Sequence, residues 1–198
     1  MIEALTLFAI LGIFAGLVAG LFGVGGGIIT VPFFVAFFIQ FGFEEEIIIH
    51  MAVGTSLGCI VFTGISSAYA HRKKNAISYN FLKPLASGIV IGAFLGALFA
   101  VQLNGNLLKT IIGIFALLIA ILMSVSRDIK LKPRNQTSKE PYFVGSGIGF
   151  FSSILGIGGG IFSVPYLKAS GLPMTSSVGT SAACGIPIAV FGALGYLI

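Results

Sequence analysis

The stretch Gly20–Phe34, GLFGVGGGIITVPFF, returns 133 residues later as Ser153–Leu167, SILGIGGGIFSVPYL. A second motif, VGTS, follows each copy at Val53–Ser56 and Val178–Ser181. Matching glycine-interrupted apolar segments in two halves of a chain are typical of membrane transporters, whose substrate site lies where the halves meet. The doubled motif therefore predicts two related halves with a site between them.

The composition places the chain in lipid. Of its 198 residues, 57% are apolar and only 9% are charged, and the mean hydropathy is +1.08. A water-soluble domain of this size needs more polar surface than that. The net charge of +5 does not indicate a nucleic-acid partner, because the basic residues lie in short loops between apolar runs. We therefore expect the lipid bilayer, and no nucleic acid, as a partner.

Apolar runs predict eight helical segments. They are Leu5–Phe22, Ile28–Phe41, Met51–Ala70, Pro84–Leu103, Leu107–Val125, Tyr142–Leu155, Ile161–Leu167 and Val178–Ile198. A crossing helix needs about 20 residues, so the second and seventh are short. The link at 23–27 has no polar side chain, which predicts a helix break inside the membrane region. The expected domains are a first repeat at 1–126, a cytoplasmic linker at 127–141 and an incomplete second repeat at 142–198.

Basic residues predict the orientation. They cluster at 72–83, between the third and fourth segments, and at 127–139, between the fifth and sixth, so both loops should be cytoplasmic. If each segment crosses once, ten of the eleven basic residues face the cytoplasm and only Lys109 does not. Five crossings then separate the first segment from its copy. An odd number inverts the halves, so the predicted fold class is an all-α polytopic transmembrane bundle with two inverted repeats and glycine-broken helices. The alternative is that the short second and seventh segments do not cross, which changes the parity and removes the inversion.

The glycine runs suggest an anion site. A helix that starts after a glycine break presents free N–H groups, and its dipole favours negative charge there. Pro32 and Pro165, each five residues beyond the last glycine, should loosen the following helix. The alternative is that the glycines only allow close helix packing. The runs do not match dinucleotide or P-loop fingerprints.

The VGTS motifs carry hydroxyl groups that could donate to an oxyanion or merely cap helices, and both readings stay open. Cys59 and Cys184 occupy matching positions after the two motifs. A thiol could contact a soft sulfur-containing anion, but a free cysteine usually behaves as a small buried apolar residue.

Two further glycine stripes, at residues 12, 16 and 20 and at residues 88, 92 and 96, have the four-residue spacing of helix-packing faces. The predicted spans hold no acid, base or metal-ligand set. An intramembrane enzyme is therefore disfavoured, and we expect neither a metal nor a cofactor. The same lack of charge favours an anion held by backbone and hydroxyl dipoles over a proton relay.

The stretch 20–32, the sequence AVGTSL at 52–57, the basic loop from His71 and residues 88–100 together resemble the sulfite exporter TauE/SafE family. The resemblance implies a bacterial or archaeal inner-membrane protein that moves sulfite, sulfonates or related small organic anions, usually outward. Carried over by motif, the substrate-proximal residues are Gly25, Gly26, Gly27, Thr55, Ser56, Gly158, Gly159, Gly160, Thr180 and Ser181.

The second repeat departs from that pattern, because counterparts of the fourth and fifth segments are missing. The expectation is that the chain is truncated, split, or completed by a homo-oligomer or a partner chain that supplies these spans. Two functions follow as expectations. The leading one is a transporter of small anions that works by alternating access, and the alternative is a non-transporting membrane subunit or inactive fragment of such a permease.

Overall fold

The computed structural model describes residues 27–125 and 139–198, together with helical positions 9, 12–13 and 16–17. The described residues are almost entirely helical and include no β-strand. The helices are α1 (Gly27–Gln40), α2 (Glu45–Lys73), α3 (Tyr79–Val101), α4 (Gly105–Val125), α5 (Glu140–Leu155), α6 (Gly160–Ala169) and α7 (Met174–Tyr196). The predicted all-α fold is confirmed. Gly25, Gly26 and nearly all of the predicted linker lie outside the described residues.

Among the described helices, α2, α3 and α7 are long and apolar enough to cross a membrane. The 14 residues of α1 and the 10 of α6 give lengths of only about 21 and 15 Å, against a hydrocarbon core of about 30 Å. α2 extends beyond the predicted Met51–Ala70 at both ends. Its first turn is acidic and its last turn is basic, which stabilises the ends of a helix through its dipole.

α3 and α5 lie side by side and run in the same direction. A Cβ added at Gly88 would meet the Tyr142 carbonyl, and one at Gly92 would meet the Ser146 carbonyl. From the other side, a Cβ at Gly149 would meet the Ile89 carbonyl. The predicted packing role of the stripe at 88, 92 and 96 is confirmed, because only glycine lets these two backbones approach so closely.

α2 and α7, which carry the two VGTS motifs, run antiparallel. Gly54, near the start of α2, faces Tyr196 at the end of α7, and a Cβ there would lie 3.3 Å from the Tyr196 Cβ. Further along α2, Gly64 faces Ile186. The turn after α2 lies against the beginning of α7, where a Cβ at Gly179 would meet the Ala76 carbonyl. The helices that carry the two copies of the VGTS motif therefore run in opposite directions.

α5 and α6 form a hairpin around the second glycine motif. Gly156 and Gly159 adopt left-handed φ angles of 69° and 73°, which glycine reaches without steric cost. The turn reverses the chain, so a Cβ at Gly159 would lie 3.3 Å from the Ser152 oxygen and 3.4 Å from Ile148 Cγ2 of α5. The predicted break between the sixth and seventh segments is therefore present.

This turn lies between the middle parts of α2 and α7. A Cβ added at Gly158 would lie 3.4 Å from Ile60 Cγ2, and one added at Gly185 would lie 3.2 Å from the Gly158 carbonyl. From the turn, α6 runs back towards the beginning of α7, since Ser163 pairs with Ser181. Both ends of the hairpin therefore lie at the end of the bundle where α3 and α7 begin.

Candidate functional site

The structure brings the start of α1 against the second glycine motif. Gly27 is buried, and a Cβ placed there would meet the Gly156 carbonyl and lie 2.7 Å from the Ile157 Cα. Gly27 is the last residue of the first glycine run, so the two copies of the motif meet in the fold. This contact requires glycine, because any side chain at position 27 would push α1 away from the turn.

The turn leaves peptide groups uncovered where α6 begins. Within the described residues, no hydrogen bond is formed by the amides of Gly158, Gly159 or Gly160. The Gly159 carbonyl, in contrast, accepts from the amides of Phe162 and Ser163 at 3.1 and 2.9 Å. The unpaired donors are those that a helix start leaves free, and they carry the positive end of the helix dipole.

The first hydroxyl pair joins the two repeats. Thr30 Oγ1 of α1 lies 2.8 Å from Ser56 Oγ of α2. Ser56 donates in turn to the Gly156 carbonyl at 2.9 Å. Ser56 is fully buried, so this bond satisfies a hydroxyl and a turn carbonyl that no water can reach.

The second hydroxyl pair repeats the first. Ser163 Oγ of α6 lies 2.7 Å from Ser181 Oγ of α7 and donates to the Gly159 carbonyl at 2.8 Å. Ser163 corresponds to Thr30 and Ser181 to Ser56 in the repeated motifs. Sequence reasoning singled out Ser56 and Ser181 but missed their partners, although both partners stand at the same position of the quoted motif.

The threonines of the two VGTS motifs lie elsewhere. Thr55 is exposed, and Thr180 is buried but accepts a hydrogen bond from the Ser78 amide at 2.9 Å, just before α3. The cysteines are likewise divided, since Cys59 is exposed and Cys184 is buried. Of the predicted site residues within the described ranges, the structure therefore gathers Gly27, Ser56, Gly158, Gly159, Gly160 and Ser181 around the turn.

The surroundings of the turn are uncharged. A Cβ atom built on each glycine of the turn has apolar side chains as its near neighbours, namely those of Val31, Val53, Ile60 and Ile188. In the described part of the chain, no group of three His, Cys, Asp or Glu residues could hold a metal ion. The polar groups available to a ligand here are peptide dipoles and hydroxyls.

Known proteins resemble the chain over nearly its whole length. The family model "Sulfite exporter TauE/SafE" matches residues 8–198. A "Probable membrane transporter protein" of Haemophilus influenzae is 32% identical over 100% of this chain and 75% of its own length. A protein of the same description from Methanocaldococcus jannaschii is 33% identical over 96% of this chain and 71% of its own length. No solved structure matches significantly. This chain is a member of the sulfite exporter TauE/SafE family of membrane proteins.

Proposed function

We propose that this membrane transporter family member moves small anions, such as sulfite, sulfonates or related organic anions, across the inner membrane. The observation that carries the proposal is the glycine turn at 156–159. Its free amides lie at the start of α6, between the central parts of α2 and α7, which are both long enough to span a membrane. Helix starts of this kind bind oxyanions through backbone N–H groups.

The chemistry of the turn favours an anion over a cation. The free groups of Gly158, Gly159 and Gly160 are donors, whereas the Gly156 and Gly159 carbonyls already accept from serine hydroxyls. Among the described residues, no carboxylate atom is one of the nearest neighbours of the Cβ positions on the turn glycines. An anion needs free donors, and the three amides supply them at the positive end of the helix dipole.

Alternating access is the proposed mechanism. The antiparallel course of α2 and α7 supports an inverted arrangement of the two halves, which in transporters allows one half to rock against the other around a central site. In this structure the turn is closed, because Ile188 of α7 covers Gly159. Movement of α7 away from the hairpin would expose the amides to one side.

The basic loops support a cytoplasmic position for the end of α2. His71, Arg72 and Lys73 form its last turn, and the acidic Glu45 and Glu46 form its first. Positive charge favours the cytoplasmic side. This orientation places the turn after α2, and with it the beginnings of α5 and α7, towards the cytoplasm.

Uptake of labelled sulfite into proteoliposomes tests the proposal. Gly159→Ala should abolish saturable uptake, because a Cβ there would collide with Ile188 on a left-handed backbone. Gly158→Ala is the matched control and should retain uptake, since its Cβ would meet only Ile60 Cγ2 at 3.4 Å. Absence of uptake by the folded wild-type chain would contradict the proposal and favour a non-transporting membrane subunit.

A further inference from the structure

In both hydroxyl pairs, every hydroxyl hydrogen already takes part in a hydrogen bond within the protein, so none is left for a ligand. A hydroxyl donates only one hydrogen. Ser56 gives its hydrogen to the Gly156 carbonyl, so the Thr30 hydrogen serves the 2.8 Å contact between the two hydroxyls and a longer 3.4 Å contact with the Gly27 carbonyl. By the same reasoning, Ser163 donates to the Gly159 carbonyl, and Ser181 donates to Ser163. The expected role of Ser56 and Ser181 as donors to an oxyanion therefore does not fit their bonding here.

One hydroxyl beside the turn has its hydrogen unused. Ser152, in the last turn of α5, has 0% of its surface exposed. Its Oγ has no hydrogen-bond partner among the described residues. That oxygen points at the turn, because a Cβ placed on Gly159 would lie 3.3 Å away from it. A buried hydroxyl without a partner lowers stability, so its presence needs an explanation.

We propose that the Ser152 hydroxyl is the side-chain donor for the transported anion. It would bond one oxygen of a sulfite, sulfonate or carboxylate group, while the Gly158, Gly159 and Gly160 amides bond the others. The inference rests on the proposed transport function and deepens it by naming the side chain that binds the substrate. Charge-assisted bonds from a hydroxyl and peptide amides are stronger than bonds between neutral groups.

The closed state explains why this donor is unpaired. Ile188 Cδ1 lies over Gly159 and, like Ser152, is fully buried. Neither water nor a solute reaches the hydroxyl while α7 stays in this position. When α7 moves, the unsatisfied donor and the free amides become accessible together, and an anion can satisfy both.

The proposed donor belongs to one repeat only. Position 19, which corresponds to Ser152 across the 133-residue offset, is an alanine. The side-chain contribution to anion binding is therefore one-sided, even though the glycine motifs are doubled. A single substitution can remove it.

Ser152→Ala tests the inference in proteoliposomes that take up labelled sulfite. Loss of a hydrogen bond to an anion should raise the half-saturating sulfite concentration about tenfold or more. The melting temperature in detergent without sulfite should be unchanged or higher, because an unsatisfied hydroxyl is removed. Ser153→Ala is the matched control, since its Oγ already donates to the Phe150 carbonyl at 3.0 Å, and it should leave half-saturation unchanged.

Each outcome bears on a definite claim. An unchanged half-saturation in Ser152→Ala, with or without a lower melting temperature, would overturn the role of Ser152 and leave anion transport standing. Absence of saturable sulfite uptake by the wild-type chain would remove the transport function and this inference with it. A weaker site in Ser152→Ala at undiminished stability would support both.

Discussion

Two glycine stripes of equal spacing have opposite surroundings in this protein. Gly145 and Gly149 of α5 touch the backbone of α3, where added Cβ atoms would meet the Leu85 and Ile89 carbonyls. Their counterparts 133 residues earlier, Gly12 and Gly16, have no atom of a described residue within 4 Å of the corresponding Cβ positions. A glycine stripe therefore permits close packing, but whether it is covered depends on a neighbouring helix.

The two hydroxyl pairs show a second difference of this kind. The distances within them are nearly equal, 2.8 Å for Thr30–Ser56 and 2.7 Å for Ser163–Ser181. The first pair donates to the Gly156 carbonyl of the other repeat at 2.9 Å and has only a 3.4 Å contact with a carbonyl of its own motif, whereas the second donates to a carbonyl of its own motif at 2.8 Å. The repeated sequence thus forms the same hydroxyl pair twice, but only the first copy makes a hydrogen bond to the other repeat.

The largest effect is expected from filling the covered stripe. Gly149→Leu should destabilise the fold by more than about 4 kcal/mol or prevent folding, because α3 leaves no room for a side chain. Gly16→Leu should leave the melting temperature in detergent unchanged or slightly raised, since leucine is the better helix former. Gly147→Leu, also in α5 but with no atom within 4 Å, is the control for the substitution itself. Equal losses at 16 and 149 would show that both stripes are covered.

A smaller effect should distinguish the two hydroxyl pairs. Ser56→Ala removes the donor to the Gly156 carbonyl and should cost about 1–3 kcal/mol of unfolding free energy. Ser181→Ala should cost less than about 1 kcal/mol, because Ser163 still donates to the Gly159 carbonyl. Thermal unfolding of the two variants side by side measures the difference. A larger loss in Ser181→Ala would reverse the assigned direction of the second pair.

The smallest effect should come from the threonines of the repeated VGTS motif. Thr180→Val leaves the Ser78 amide without its acceptor and should lower stability by about 1–2 kcal/mol. Thr55→Val at the exposed counterpart should stay within about 0.5 kcal/mol of the wild type. Melting temperatures again provide the comparison, and equal shifts would contradict the structural difference between the two motifs.

Helix geometry explains why the site was predicted only in part. Adjacent residues of a helix point about 100° apart, so Thr55 and Ser56 cannot both face one turn. The glycine break and Ser56 could be predicted because each repeats. The repeat could not predict Ser152, because the corresponding position 19 is an alanine and the serine is therefore not part of the repeated pattern.

The sequence alone determined that this chain lies in a membrane, that it is helical and that its second glycine motif breaks a helix. These properties follow from composition, from the length of apolar runs and from the backbone freedom of glycine, all of which are local. Only the tertiary structure decided which hydroxyls retain a free hydrogen and which glycine face is covered. Both depend on contacts between distant residues, such as the bond from Ser56 to the Gly156 carbonyl across 100 positions, and no local pattern encodes that contact.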